Sequence, residues 1–371
     1  MISLKYINSS KISDLKAELI NLENNKGINS VLVLSGANNN YDEKQLNKLL
    51  KSYSKPIFGG HFPGIIYENK SYETGSVIVG LEYNPEIIYC DDIEDEDLIE
   101  NTISKSISKF SEMKTLFVFV DSLSRGVDLF IQQIFIQFGL KYNYIGGGAG
   151  SLDFIPKPCI YTNDGVKKNC GLIIGLDKHS GIGVKHGWGK VAGPFKVSKS
   201  NLNQLIELDY KNAFNVYQEE ISKHSNKYIT EDNFFEIAKS YPFGITKFDS
   251  ECIVRDPIKV TNGIIECVGV IKTGIYVNIL HGDCQMLLDA ADQAIKKALY
   301  GIDQNVIEFT FIVDCISRSL FLEKEFIKEL NSIKTNIKSV PLFGVLSIGE
   351  IANNGKEYMD FYNKTIVIAC L

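Results

Sequence analysis

Residues 116–121 have the sequence Leu-Phe-Val-Phe-Val-Asp, an apolar, β-branched and aromatic run that ends on a carboxylate. A run of this length and composition indicates a strand that is buried on both faces. Residues 127–138 follow with apolar side chains at helical spacing, and residues 144–150 form a second strand-like run that ends in glycines. This order predicts two parallel strands joined by a right-handed helical crossover.

The same pattern occurs twice more along the chain. A strand-like run, a helical pattern and a glycine-bearing run follow one another at 31–36, 42–53 and 56–60, and again at 311–314, 321–333 and 341–349. Three further pairs of strand-like runs, which we interpret as hairpins, lie at 76–81 with 86–89, 171–176 with 182–187, and 266–271 with 275–280. Helical patterns follow these pairs at 95–111, 202–223 and 284–299.

These elements predict the fold class and the division of the chain. We expect an α/β fold of mixed sheets, built from repeated β-α-β and hairpin units that are covered by helices. A polar stretch after a long helical pattern, Ser225-Asn226-Lys227, indicates a division into two halves near residue 225.

Composition and charge exclude several classes of protein. The net charge of −6, from 45 acidic and 39 basic residues, together with the lack of a basic stripe, predicts no nucleic-acid partner. The first thirty residues lack the pattern of a signal peptide, and no apolar run approaches the ~20 residues of a membrane span. We therefore expect a cytoplasmic protein with no membrane partner. Eight cysteines without metal or redox spacing are interpreted as reduced core thiols.

Several short motifs resemble those of the FIST family when they are taken in order. The motifs lie at 121–125, 145–150 and 185–189, and then at 255–257, 313–318 and 344–350. The first three resemble the N-terminal FIST domain and the last three the C-terminal one. The resemblance implies an N-terminal extension over 1–30, a FIST N-like domain over 31–225 and a FIST C-like domain over 226–371.

The resemblance also implies a function. Proteins that this chain resembles carry FIST domains as sensory domains of signal transduction, thought to bind small ligands such as amino acids. One branch of the family is associated with haem and nitric-oxide sensing. The chain carries no recognisable output module, so we expect a small-molecule ligand and a partner in trans, such as a histidine kinase. The first glycine turn, 60–64, departs from the family pattern, which leaves open whether the first repeat contributes ligand contacts.

Arginine is scarce in this chain, and its positions are informative. Only Arg125, Arg255 and Arg318 are arginines, and Arg125 and Arg318 occupy the same place in Val-Asp-Ser-Leu-Ser-Arg and Val-Asp-Cys-Ile-Ser-Arg. A planar guanidinium binds a carboxylate through two hydrogen bonds. Two interpretations stay open: an internal pair with the preceding aspartate, or a clamp for the carboxylate of a ligand.

The predicted ligand site combines these arginines with glycine amides and a carboxylate at strand ends. Glu350 ends the last parallel strand, where ligands of open α/β sheets bind, and is placed to meet an ammonium group; alternatively it caps a turn or pairs with a lysine. The glycine run offers backbone amides to a ligand or simply permits a tight turn. The predicted ligand-binding residues are Asp121, Arg125, Gly146, Gly147, Gly148, Ala149, Arg318, Ser347, Gly349 and Glu350.

Haem binding and catalysis are the alternatives to this site. His186 is the first candidate for an axial haem ligand and His281 the second, each weighed against an ordinary packed histidine. His61 is interpreted as turn-bound or exposed. No nucleophile elbow, zinc-protease motif or Walker lysine occurs, and we expect the arginines to hold Asp121 and Asp314 ionised, so the sequence predicts a protein that is not an enzyme.

Overall fold

The computed structural model of the chain describes residues 2–225, 227–247, 252–353 and 358–371. Its helices are α1 (Ile12–Asn24), α2 (Glu43–Ser52), α3 (Glu96–Ser106), α4 (Val127–Phe138), α5 (Ala213–Ser225), α6 (Phe234–Ala238), α7 (Cys284–Tyr300), α8 (Ile316–Leu322) and α9 (Phe326–Ile337). Among the described residues, none of the helices has the length and apolar character that a membrane crossing requires.

The strands of the described residues fall into four sheets. They are β1 (Ile2–Ile7), β2 (Ser30–Gly36), β3 (Ile57–Phe62), β4 (Gly64–Tyr67), β5 (Lys70–Tyr72), β6 (Ser76–Leu81), β7 (Glu86–Cys90), β8 (Thr115–Asp121), β9 (Asn143–Ala149), β10 (Ile160–Thr162), β11 (Gly165–Lys167), β12 (Gly171–Leu176), β13 (Gly181–Lys185), β14 (Gly189–Asn201), β15 (Gln204–Leu208), β16 (Lys211–Asn212), β17 (Phe243–Ile245), β18 (Ile253–Arg255), β19 (Pro257–Thr261), β20 (Ile264–Cys267), β21 (Tyr276–His281), β22 (Thr310–Cys315), β23 (Leu342–Ser347), β24 (Glu350–Ala352), β25 (Asp360–Tyr362) and β26 (Ile366–Cys370).

Three of the four sheets share one design. Their strand orders are β1-β6-β2-β3-β10-β11 in the first sheet, β7-β12-β8-β9-β24-β25 in the second and β13-β26-β22-β23-β4-β5 in the third. The central pairs β2/β3, β8/β9 and β22/β23 are parallel. The predicted α/β class and the three β-α-β repeats are thereby confirmed.

Each β-α-β unit gives a hairpin to a neighbouring sheet. The hairpin β4–β5 follows the first parallel pair but joins the third sheet, β10–β11 follows the second pair but joins the first sheet, and β24–β25 follows the third pair but joins the second sheet. The exchange is cyclic, so every sheet ends in strands from another unit. Strands from both sides of residue 225 therefore share sheets.

The three predicted hairpins are wrong. β6 pairs with β1 and β2, whereas β7, only a turn away, pairs with β12 in the second sheet. Likewise, β12 lies in the second sheet and β13 in the third. β20 and β21 do not pair with each other, because β20 pairs with β15 and β21 with β17. An apolar run buried on both faces needs two strand neighbours, and a nearby turn signal does not identify them.

The fourth sheet is an insertion in the third unit, between β13 and α7. It has the order β18-β17-β21-β14-β15-β20-β19, with β16 beside β15, and α5 and α6 pack against it. The helix predicted over 202–223 is wrong in its first half, because β15 and β16 occupy it. Leu205 and Leu208 are both buried at a spacing of three, which is also the spacing of a buried helical face. In the strand, this spacing coincides with a register irregularity in the β14/β15 pairing. Asn226, in the predicted division, lies outside the described residues.

The main core lies between the inner faces of the three related sheets. Phe119 of the second sheet contacts Phe62 of the first, with ring centroids 5.8 Å apart, and Phe311 of the third at 6.3 Å. Helices cover the outer faces: α1 and α2 on the first sheet, α3 and α4 on the second, α7 and α9 on the third. The segment 1–30 supplies β1 and α1 to the first unit, apart from Met1, which is not described.

Candidate functional site

Three glycines align the related sheets residue by residue. Gly59 is paired with Val33, Gly146 with Val118 and Gly344 with Ile312 in the parallel ladders. A Cβ on these glycines would lie 1.7 to 2.0 Å from the carbonyl oxygen of the paired residue, so each position requires glycine. Two residues further along the central strands, Ser35, Val120 and Asp314 are therefore equivalent positions.

In the third unit this position belongs to a sealed ionic cluster. The Arg318 guanidinium, with no exposed surface, donates to Asp314 Oδ1 at 3.1 Å and to Glu329 Oε2 at 2.7 Å. It also donates to the carbonyl oxygens of His186 at 2.7 Å and Leu287 at 3.2 Å. Arg318 thus forms the internal Arg–Asp pair, and it is not placed to clamp the carboxylate of a ligand.

The ionisation of Asp314 differs from the sequence expectation. Burial, together with the neighbouring Glu329 carboxylate, raises the pKa of Asp314 well above its ordinary value. Asp314 Oδ2 and Glu329 Oε1 are buried and accept no hydrogen bond in the described part of the chain. One guanidinium faces two carboxyl groups, so the cluster is neutral when one of them holds a proton. We had expected the arginine to hold Asp314 ionised, and this expectation is wrong.

The matching motif in the second unit folds differently. Arg125 is exposed, and Asp121 accepts the backbone N–H groups of Leu123 at 3.1 Å and Asn169 at 2.7 Å instead. The two motifs fold differently because the helices that follow them begin at different distances from the strand. α8 begins directly after β22 and carries Arg318 inward, whereas α4 begins six residues after β8 ends. The two arginines are therefore not equivalent.

The predicted glycine amides and Glu350 are also internal. Gly146 to Ala149 lie in β9, which pairs with β8 on one side and β24 on the other, and Gly148 N–H donates to the Gly349 carbonyl at 2.8 Å. Glu350 has no exposed surface and accepts the hydroxyl of Ser347 at 2.7 Å. Burial raises the pKa of Glu350 to about 8. These amides and this carboxyl group do not face a ligand.

The two histidines proposed as haem ligands have contacts within the chain. His186 Nδ1 accepts the backbone N–H of Trp188 at 2.9 Å, and its Nε2 lies 3.4 Å from Cys252 Sγ. The ring of His281 packs against His224 and Tyr241, with centroids 5.0 and 4.9 Å apart. Axial ligation by His186 would first break the contacts of both ring nitrogens, so His186 does not fit the role. No cluster of three or more potential metal ligands occurs among the described residues.

The first unit has an open cavity at the corresponding place. Ser35 and Ser76 share a hydrogen bond of 2.8 Å, and Tyr41 lies 3.1 Å from the Ser76 hydroxyl. Above them, a cavity of about 250 Å³ lies at the carboxyl ends of β2 and β3. Residues 151–158, between β9 and β10 of the second unit, form its roof. The hairpin exchange thus brings two units together around the cavity.

Tyr161 and His61 form the polar wall of this cavity. Tyr161 has no exposed surface, and its hydroxyl lies near that of Ser35 without a hydrogen bond of ordinary geometry to any described residue. Its ring meets the His61 ring edge to face, with centroids 6.2 Å apart. Burial, assisted by the charge of Lys157, lowers the pKa of His61 to about 4. The imidazole is therefore neutral at pH 7 and offers one hydrogen-bond donor and one acceptor.

The roof places opposite charges at the mouth of the cavity. Lys157 forms an ion pair with Asp153, which also accepts the Ser151 hydroxyl at 2.5 Å and the Ile155 N–H at 3.0 Å. Hydrogen bonds from Lys157, Ser151 and Ile155 lower the pKa of Asp153. Both charged groups are partly exposed, so the pair contributes little to folding and stays accessible to a ligand.

Comparison with known protein families identifies the chain. The model of the FIST N domain matches residues 30–211, and that of the FIST C domain matches residues 213–353. The chain belongs to the FIST family. FIST domains are sensory domains of signal transduction, thought to bind small ligands.

Other comparisons add little to the FIST assignment. A crystal structure of chorismatase is similar over 100% of this chain and 98% of that chain, with 8% identity and a TM-score of 0.36. A score this low carries no argument about function. No curated protein matches the chain.

Sequence reasoning missed the cavity of this FIST protein because it left the first repeat open and treated His61 as a turn residue. The available signal was hydroxyl groups in strands that are otherwise apolar. Ser35 and Ser76 face each other across β2 and β6, where the second unit has Val120 and Gly171. Tyr161 could not be connected with them, because it lies more than a hundred residues beyond Ser35 in the sequence.

Proposed function

We propose that this FIST protein binds a small polar metabolite, an amino acid or a molecule of similar size, in the cavity above Ser35. The unpartnered Tyr161 hydroxyl carries this proposal. A buried hydroxyl without a partner costs roughly 1–3 kcal/mol, and a ligand that forms the missing hydrogen bond offsets that cost. The neutral His61 ring beside it can donate or accept a second hydrogen bond.

The charges and the size of the cavity support a zwitterionic ligand. Lys157 and Asp153 stand together at the mouth, where a carboxylate and an ammonium group would find partners. The volume of about 250 Å³ is below the roughly 300–1,000 Å³ of sites for drug-sized molecules. A guest of metabolite size fits these dimensions.

We propose binding rather than catalysis, followed by signalling through a partner. His61, with a pKa of about 4, is a weak base at neutral pH. The hydroxyls of Ser35, Ser76 and Tyr41 are engaged with one another, and burial raises the pKa of Tyr41. The family's role in signal transduction supports a partner in trans, such as a histidine kinase.

A thermal-shift screen over the amino acids and haem tests the proposal. A ligand at 100 times its Kd stabilises the folded protein by about 2.7 kcal/mol. We expect an amino acid to raise the melting temperature and haem to give no Soret band of a histidine-ligated complex. If no amino acid shifts the melting temperature, the amino-acid proposal is wrong; a Soret band that His186→Ala removes would favour the haem alternative.

A matched pair of variants tests the role of Tyr161. Tyr53 is a second buried tyrosine whose hydroxyl has no hydrogen bond to the described part of the chain, but it does not line the cavity. Tyr161→Phe and Tyr53→Phe should each stabilise the unbound protein, by up to about 1 kcal/mol, because each removes an unpaired hydroxyl. Only Tyr161→Phe should weaken ligand binding, by about tenfold. Equal affinities of the two variants in calorimetry would contradict the proposed site.

A further inference from the structure

A second cavity lies beside the first, where the three units meet. It also measures about 250 Å³, and the two cavities share Ala37, Asn38 and Leu152 in their walls. Ala37 and Ile316 directly follow the central strands of the first and third units, and Leu152 belongs to the roof from the second unit. The second cavity is therefore a continuation of the strand-end site across the boundary between units.

The two cavities differ in chemistry. The first has the Tyr161 hydroxyl, the His61 ring and the charges of the roof. The second has an apolar floor of Leu346, which is 3% exposed, with Pro63 and Ile316 beside it and Leu320 at its rim, which is 60% exposed. Its remaining wall is polar and includes Ser71, Glu73 and Ser319. Covering the apolar floor with apolar ligand atoms is favourable by about 25 cal/mol for each Å² removed from water.

The wall between the cavities is formed by Ala37, Asn38 and Leu152, and the last two side chains lie at the surface. Asn38 is exposed and donates from Nδ2 to Glu73 Oε2 at 3.1 Å, and Leu152 is 42% exposed. Neither is held by the core. A bound molecule can pass between them by a change of side-chain rotamers, with no rearrangement of the sheets.

We infer that the two cavities form one bipartite site, for a ligand with a polar or zwitterionic head beside Tyr161 and His61 and an unbranched apolar arm against Leu346 and Ile316. The inference rests on the proposed function and narrows the class of ligand. It assigns specificity to the second cavity, because the head alone would not distinguish one amino acid from another. The selected ligand has an apolar arm that extends past Leu152.

A chain-length series tests the inference on the unmodified protein. The probes are the straight-chain L-2-amino acids from alanine to 2-aminooctanoate, with Kd measured by calorimetry. Once the arm passes Leu152, each additional methylene should lower Kd about fourfold, which corresponds to about 0.8 kcal/mol for a buried CH₂. If the short probes bind and Kd stays level or rises with length, the bipartite site is wrong but the proposed function stands. If no probe of any length binds, the proposed function fails and the inference with it.

Variants locate the effect in the second cavity. Ser319 lines this cavity but not the first, and Ser319→Trp should fill it and bring the ratio of Kd for alanine to Kd for 2-aminooctanoate close to one. Lys324→Trp, in an exposed position just after α8, is the control and should keep the wild-type ratio. Leu320→Glu, at an exposed position that folding does not depend on, should also reduce the ratio. A ratio that survives both Ser319→Trp and Leu320→Glu would place the arm elsewhere and overturn the assignment.

Discussion

The first and third units place different chemistry at the same point of the same backbone. Ser35 and Asp314 are equivalent residues on parallel strands, and each lies beneath the helical layer. Around Asp314 the space is filled by Arg318 and Glu329, both without exposed surface. Around Ser35 the space is occupied by the hydroxyl groups of Ser76 and Tyr41, and Tyr41 lines the adjacent cavity. The position of the next helix makes the difference, because α8 follows β22 at once and α2 begins seven residues after β2 ends.

The difference separates a structural polar cluster from a binding one. Every buried polar group needs a partner, or it destabilises the fold. In the third unit the guanidinium finds its partners within the chain, so the cluster holds α8, α9 and the sheet together. In the first sheet the Tyr161 hydroxyl forms no regular hydrogen bond with any described residue. A polar group left without a partner beside a cavity points to a ligand, whereas a scarce residue by itself does not.

The largest expected effect is the difference in stability lost when each of the two arginines of the repeated motif is replaced. Arg318→Ala should destabilise the protein by about 3–5 kcal/mol, because it leaves Asp314 and Glu329 buried without their cation. Arg125→Ala should change stability by no more than about 0.5 kcal/mol, because the side chain is exposed. Urea unfolding of both variants measures the contrast. A loss on Arg125→Ala as large as that on Arg318→Ala would show that the motif has one structural role in both units.

An apolar replacement of the whole cluster sharpens the same comparison. The second unit has Val120 where the third has Asp314, and its outer core is apolar. The combined change Asp314→Val, Arg318→Met and Glu329→Leu should recover most of the stability lost in Arg318→Ala, since well-packed apolar groups replace a buried ion cluster at little cost. A combined variant as unstable as Arg318→Ala would mean that packing around Arg318, rather than its charge, is decisive.

A smaller effect is expected from pH in the first unit. The pKa of His61 is about 4 in the folded chain and about 6.5 when unfolded. Above pH 6.5 both states are neutral and the histidine contributes nothing. As pH falls from 6.5 toward 4, the unfolded chain takes up a proton that the folded chain does not, so stability decreases, by about 2 kcal/mol between pH 7 and pH 5.

His61→Gln isolates this contribution from other acid-sensitive groups. Glutamine keeps a donor and an acceptor but does not titrate, so the variant should lose less stability than the wild type between pH 7 and pH 5. Denaturant unfolding at the two pH values gives the difference. Parallel pH profiles for the two proteins would mean that the His61 ring is protonated without cost in the folded state.

The repeat could be predicted from the sequence because its signals are local. Within one unit, the apolar run, the helical spacing and the glycine, Gly146 in the second unit and Gly344 in the third, lie within about thirty residues and fix a parallel pair. The hairpins could not be predicted, because the partners of a strand are not local. β6 and β7 are separated by a short turn, yet they belong to different sheets.

The candidate site depended even more on distant residues. The scarcity of arginine correctly marked Arg318 as unusual, but the sequence does not show that Glu329 and the carbonyl oxygen of His186 meet it. His61 and Tyr161 are a hundred residues apart and face one cavity only because β10 pairs with β3. The exchange of hairpins between units therefore decides where the site lies.

The smallest expected effect on folding concerns the charges at the mouth of the cavity. Lys157 is exposed and forms an ion pair with the exposed Asp153, so Lys157→Met should change stability by no more than about 0.5 kcal/mol, in contrast to Arg318→Ala. It should nevertheless weaken binding of the most stabilising amino acid from the screen, and the effect of raising NaCl from 50 to 500 mM on Kd should become smaller, because screening acts on the exposed charge. Lys168→Met removes an exposed lysine that does not line the cavity and serves as the control. Binding that is as strong and as salt-dependent in Lys157→Met as in the control would remove Lys157 from the site and leave recognition to Tyr161 and His61. The charges of the roof would then have no more to do with a ligand than those of the cluster around Arg318.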